Sequence, residues 1–115
     1  MLTIESLKEY GADTDNGVAR CINNADFYIR MVKTAISEDS VAKLEDALGR
    51  GDLAAAFDAA HSMKGVYSNL ALTPLLKPVQ EITELLRART DTDYSALTAQ
   101  LRAEFDKLRA LAEEA

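Results

Sequence analysis

Residues 53–70 read LAAAFDAAHSMKGVYSNL. Five of these eighteen residues are alanine, the strongest helix former, and none is proline. Asp52 immediately ahead is a good N-cap, because its carboxylate can accept from the free N–H groups of a first turn. The stretch therefore predicts a long helix from Leu53 to about Leu70. With His61 set at zero and about 100° per residue, Ala56, Ala60, Met63, Tyr67 and Leu70 fall between about 180° and 260°. They form one apolar face. His61 lies roughly opposite, beside Asp58, Lys64, Gly65 and Ser68. A helix with one apolar face needs partners to cover it, so the chain should be a bundle with its only histidine on the outside.

The flanking sequence supplies those partners. Thr3 is placed to cap a short helix that Gly11 ends. Asp13–Asn16 reads as a turn, followed by a short helix over Gly17–Asn23. Asn24 caps a run in which Phe27, Tyr28, Met31, Val32, Ala35 and Ile36 recur at three- and four-residue spacing. After the polar Ser37–Ser40, Val41, Leu44, Ala47 and Leu48 continue the pattern to a Gly49–Gly51 turn. These two runs fit either two helices or one kinked helix. Thr73-Pro74 marks the next helix start, with proline in the first turn where its missing N–H costs nothing. Pro78, one turn in, is compatible with a straight or a bent start. Val79, Ile82, Leu85 and Leu86 carry that helix to Arg87–Arg89. After the polar Thr90–Asp93, a last helix runs from about Tyr94 on the stripe Leu97, Leu101, Phe105, Leu108 and Leu111, fraying over Glu113–Ala115. No strand pattern or repeat interrupts this series. Short connections make neighbouring long helices antiparallel. The expected fold is all-α: an antiparallel up-down four-helix bundle with additional short N-terminal helices, as one domain over residues 1–115.

Composition narrows the function. Of 115 residues, 48% are apolar, and only seven are aromatic (four Tyr, three Phe, no Trp), which suffices for one modest core. The net charge of −6 is spread evenly, with no basic stripe to meet phosphates, so neither nucleic acid nor an anionic membrane is an expected partner. Cys21 is the only cysteine and sits in an apolar pattern with Val18 and Ile22, where it reads as a small buried hydrophobe. One His and one Cys do not make a zinc site. No apolar run reaches the ~18 residues of a membrane span, and MLTIESLKEY is no signal peptide. A cytoplasmic monomer is expected.

The outward face of residues 53–70 carries the chemistry. Gly65, four residues after His61, costs a helix interior about 1 kcal/mol relative to Ala. In so alanine-rich a helix, this suggests that a side chain there would obstruct something. Lys64, three residues after His61, places an ammonium on the same face. A nucleophile, an open approach and a cation are what phosphoryl transfer needs, since its transition state demands alignment and charge stabilisation. An imidazole retains a neutral form with a free nitrogen lone pair around neutral pH. There is no G-x-G-x-x-G and no G-x-x-x-x-G-K, so self-phosphorylation from ATP is not expected. No Gly-x-Ser-x-Gly supports a hydrolase, and Glu104 and Asp106 are too close in sequence to share a helix face.

Ala60-His61-Ser62-Met63-Lys64-Gly65 resembles the Ala-His-x-Leu-Lys-Gly motif of histidine phosphotransfer (HPt) domains of the stand-alone bacterial type. Gly51-Asp52-Leu53 is similar to the turn that opens the family's histidine helix, and Phe27–Val32 resembles its upstream helix; similarity spans about residues 17–110. The resemblance implies a phosphocarrier of two-component phosphorelays rather than an independent enzyme. His61 would exchange a phosphoryl group, on Nε2, with the aspartate of response-regulator receiver domains, one source being a hybrid sensor kinase. Lys64 would help neutralise the group and Gly65 would leave room for it. The chain would need no cofactor of its own; Mg²⁺ would belong to the receiver. A receiver docking over this face would meet Ala54, Phe57, Asp58, Ser62, Ser68 and Asn69. Phe57 reads as a core-edge aromatic or a docking anchor, and Asp58 as a solvated partner of Ser62. Two positions depart from the family pattern. Ala71 stands where the family often has Gly, a change at the helix end. Thr83 stands where the family often has a Gln that hydrogen-bonds the imidazole, leaving the orienting role to Thr83 or to Gln80. The competing reading is a non-catalytic bundle that docks receivers or serves as a scaffold.

Overall fold

The computed structural model describes residues 1–113; the fraying expected at Glu114 and Ala115 lies outside them. Seven helices follow in order: α1 (Ile4–Tyr10), α2 (Thr14–Arg20), α3 (Ala25–Ser37), α4 (Ser40–Gly49), α5 (Leu53–Asn69), α6 (Thr73–Arg87) and α7 (Ser95–Glu113). Among the described residues there is no strand. None of these helices is long and apolar enough to cross a membrane.

Local chemistry sets most boundaries. Thr3, Asn24, Asp39 and Asp52 each accept a backbone N–H from the first turn of the helix they precede. Asp39 decides what periodicity left open, since its cap at Ala42 separates α3 from α4. α2 differs from expectation by starting at Thr14. Asp13 is itself the N-cap, and Ile22 and Asn23 adopt left-handed φ values of 53° and 56° that end the helix before Asn24. α6 begins at Thr73, with buried Leu72 at the cap position and no side-chain cap; Pro74 and buried Pro78 both lie within the helix. Ala71 takes φ 53°, a conformation glycine enters without strain.

α4 packs on α5, α5 on α6, α6 on α7, and α7 returns to α4. Cross-contacts fix the directions. Ser40 meets Tyr67, Arg102 meets Glu45 while Arg109 nears Asp39, Lys64 meets Glu84, and Arg87 lies over Phe57. Successive helices of this ring are therefore antiparallel, as expected. α3 packs on α2 and α7, and its Tyr28, Val32 and Ile36 are buried.

All four tyrosines are buried, and each hydroxyl has a partner. Tyr28 is fully enclosed and donates to the Leu70 carbonyl at 2.9 Å; burial pushes its hydroxyl pKa up to about 12. The backbone N–H of Asp13 donates to Ala71 O at 3.0 Å. These bonds tie the C-terminal end of α5 to the N-terminal helices. Gly17 is part of the same joint. A Cβ there would lie 2.4 Å from Tyr28 Cε1 and 3.0 Å from the Leu70 carbonyl oxygen. Gly17→Ala should thus destabilise the fold by about 1–3 kcal/mol through overpacking, read as a lower midpoint in urea.

On the α4–α7 side, Arg102 grips Asp39 through two bonds of 2.9 and 3.1 Å and also reaches Glu45 at 2.6 Å. The guanidinium holds the Asp39 carboxyl below its ordinary pKa. A carboxyl lowered on folding contributes stability above its unfolded pKa and loses it as pH falls through the folded one. Arg102→Met should therefore cost about 1 kcal/mol near neutral pH. The gap from wild type should close as thermal melts are taken below the ordinary Asp range, about pH 4.

Candidate functional site

The helix wheel of α5 is reproduced in space. Ala56, Ala60, Met63, Tyr67 and Leu70 are all buried, whereas His61 is exposed. Alanine at 56 and 60 lets neighbouring backbones approach closely. α5 and α6 form the most extensive helix pair in the molecule.

Around His61, α5 and α6 assemble one connected group of side chains. Phe57, one turn before, stacks on the imidazole with centroids 5.6 Å apart and planes 13° from parallel. Arg87 of α6 lies over the Phe57 ring, 5.3 Å from its centroid, in cation–π range. Glu84 of α6 sits between two cations. Its Oε2 is 3.5 Å from Arg87 Nε and its Oε1 is 3.7 Å from Lys64 Nζ. The stack defines the plane of the imidazole, and His61 is exposed. Gly65 opens onto space: a Cβ there would meet nothing within 4 Å. Packing thus gives no reason for glycine at this position.

The orienting contact expected from α6 is not formed. Thr83 is fully buried and its Oγ1 donates to the Val79 carbonyl at 2.6 Å, the back-bond of a helical threonine. It faces the core, not His61. Gln80 is exposed and lines a shallow cleft with Lys77, Glu81 and Glu84. Among the described residues no side chain hydrogen-bonds the imidazole; its ring stacks on Phe57.

The remaining expected docking residues divide among three places. Asp58 and Ser62 line a groove of about 610 Å³ between α5 and the α3–α4 corner, with Lys43, Val66 and Tyr67 also on its wall. No hydrogen bond joins Asp58 to Ser62, so the pairing expected of them is not made. Ala54 is exposed near the start of α5, while Ser68 is half-buried and Asn69 exposed at its last turn. Glu84 and Arg87 were not among the expected site residues. The Phe57–His61 stack had a signal in its i, i+4 spacing. The two α6 residues had none, because their approach depends on how α6 lies against α5.

The family model for the Hpt domain matches residues 34–111. The chain belongs to the Hpt domain family. The match takes in α4 to α6 whole, with the end of α3 and most of α7, and includes His61, Lys64 and Gly65; the Phe27–Val32 stretch and the two N-terminal helices lie before it. No curated protein and no solved structure matches the chain. Hpt domains serve histidine phosphotransfer in phosphorelays and interact with response-regulator receiver domains. In this Hpt domain the open face at Gly65 has a stability consequence. Gly65→Ala should raise stability by about 0.5–1 kcal/mol, because alanine is the better helix former and nothing obstructs its methyl group. Calorimetry should find a higher Tm.

Proposed function

We propose that this Hpt domain carries a phosphoryl group on Nε2 of His61, in exchange with the aspartate of a receiver domain. The observation that carries the proposal is the surface of α5. The chain's only histidine is exposed, its ring plane is held by Phe57, a cation stands three residues on, and a glycine with no packing role lies four residues on.

In the forward step the Nε2 lone pair attacks phosphorus of the receiver's aspartyl phosphate. The N–P bond forms as the P–O bond to the carboxylate breaks, and the electron pair leaves with that carboxylate. The imidazole keeps its Nδ1 proton, so the ring becomes cationic beside the phosphoryl dianion, and total charge is unchanged. The reverse step returns the group to an aspartate. The receiver brings the acyl phosphate and its own Mg²⁺. His61 contributes the nucleophile, Phe57 fixes the plane in which the lone pair points, and Lys64 offsets charge on the transferring group. Gly65 leaves the line of attack clear for a second protein to approach.

Incubation with a phosphorylated receiver tests the assignment directly. Wild-type protein should take up label, and His61→Gln should take up none while keeping its helical circular dichroism and melting temperature. Gly65→Ala should slow the transfer despite its higher stability. A folded wild-type protein that accepts no label from any receiver of its own genome would leave the scaffold reading in its place.

A further inference from the structure

Among the described residues, Glu84 is the one acidic side chain that pairs with Lys64 or Arg87, and it pairs with both. Its carboxylate is 3.7 Å from Lys64 Nζ and 3.5 Å from Arg87 Nε. Both separations exceed good hydrogen-bond length, and Glu84 is 60% exposed, so each is a loose ion pair screened by water. Lys64 is the less exposed partner, at 33%. A phosphoryl group on His61 is a dianion on the face that Lys64 shares. One ammonium cannot serve two anions equally, and the dianion is the stronger attractor.

We infer that Glu84 is a placeholder counter-ion. It occupies Lys64 while His61 is bare, and it is displaced when the incoming phosphoryl group claims the ammonium. The reading rests on His61 being the phosphoryl acceptor. Glu84 is a positioning residue that acts through Lys64. It opposes phosphorylation by competing for that lysine and by its own negative charge. Such a residue biases the carrier towards giving its phosphoryl group away. Arg87 retains a second anchor on the Phe57 ring, so loss of Glu84 leaves it in place.

Phosphoramidate, a small anionic phosphoryl donor, tests this without any receiver. His61 Nε2 attacks its phosphorus, the P–N bond breaks, and the nitrogen leaves as ammonia. The initial rate of His61 labelling is followed by ³¹P NMR. Removing one neighbouring unit charge screened by water changes such a rate by a factor on the order of two to three, so Glu84→Gln should label about two- to threefold faster than wild type at low salt. The gain should fade towards 1 M salt, where the screening length is about 3 Å. It should also be smaller in a Lys64→Ala background. An unchanged or slower rate in Glu84→Gln overturns the inference, as does an equal gain without Lys64 or absence of labelling in both proteins. Faster labelling by phosphoramidate with no transfer from any receiver would uphold the placeholder and remove the receiver exchange. Far-ultraviolet circular dichroism of each variant checks that the bundle is intact.

Discussion

The burial of one face of α5 governs this molecule. Ala56, Ala60, Met63 and Tyr67 are each less than 5% exposed, and α6 is the helix with which α5 packs most extensively. Small residues at 56 and 60 allow close approach, and Met63 and Tyr67 border the α3–α4 corner, where Tyr67 meets Ser40. Because a helix turns about 100° per residue, burying that face forces His61 to the surface. The same packing brings Glu84 and Arg87 of α6 up beside the histidine. Core and site are thus two sides of one helix, held in register by one contact surface.

Precision at the site depends on anchoring both ends of α5. Asp52 caps its start, and the C-terminal end is tied through Leu70 and Ala71 to Tyr28 and Asp13. Gly17 makes the second joint possible by letting α2 approach the Tyr28 ring. A transferring phosphoryl group demands alignment within a fraction of an ångström. A helix pinned at its two ends and along one face is a suitable mount for it.

The electrostatics of the His61 face are economical. The protein is acidic overall, yet Lys64 follows the histidine by three residues and Arg87 lies over its stacking partner Phe57; among the described residues only Glu84 pairs with either cation. The strongest charge network, Arg102 with Asp39, Glu45 and Asp106, lies on the α4–α7 side and serves the fold. The imidazole is oriented by stacking on Phe57 where a hydrogen bond from α6 was expected, because Thr83 is committed to Val79 inside the core.

Residue order alone determined the helical class, the caps at Thr3, Asn24 and Asp52, the buried face of α5 and the outward position of His61, Lys64 and Gly65. All of these are consequences of helical periodicity and of side chains bonding their own backbone within one turn, which are local interactions. Tertiary structure decided the rest. It chose among competing local signals: Asp39, gripped by Arg102 of α7, caps α4 apart from α3, and Asp13, whose N–H bonds Ala71 O, starts α2 at Thr14. It turned Thr83 inward and drew Glu84 and Arg87 to the site. Which face of α6 meets α5 depends on the combined burial of many side chains far apart in the chain. The spacing of residues within α6 records its apolar face, but not which polar neighbours that face will carry to the histidine.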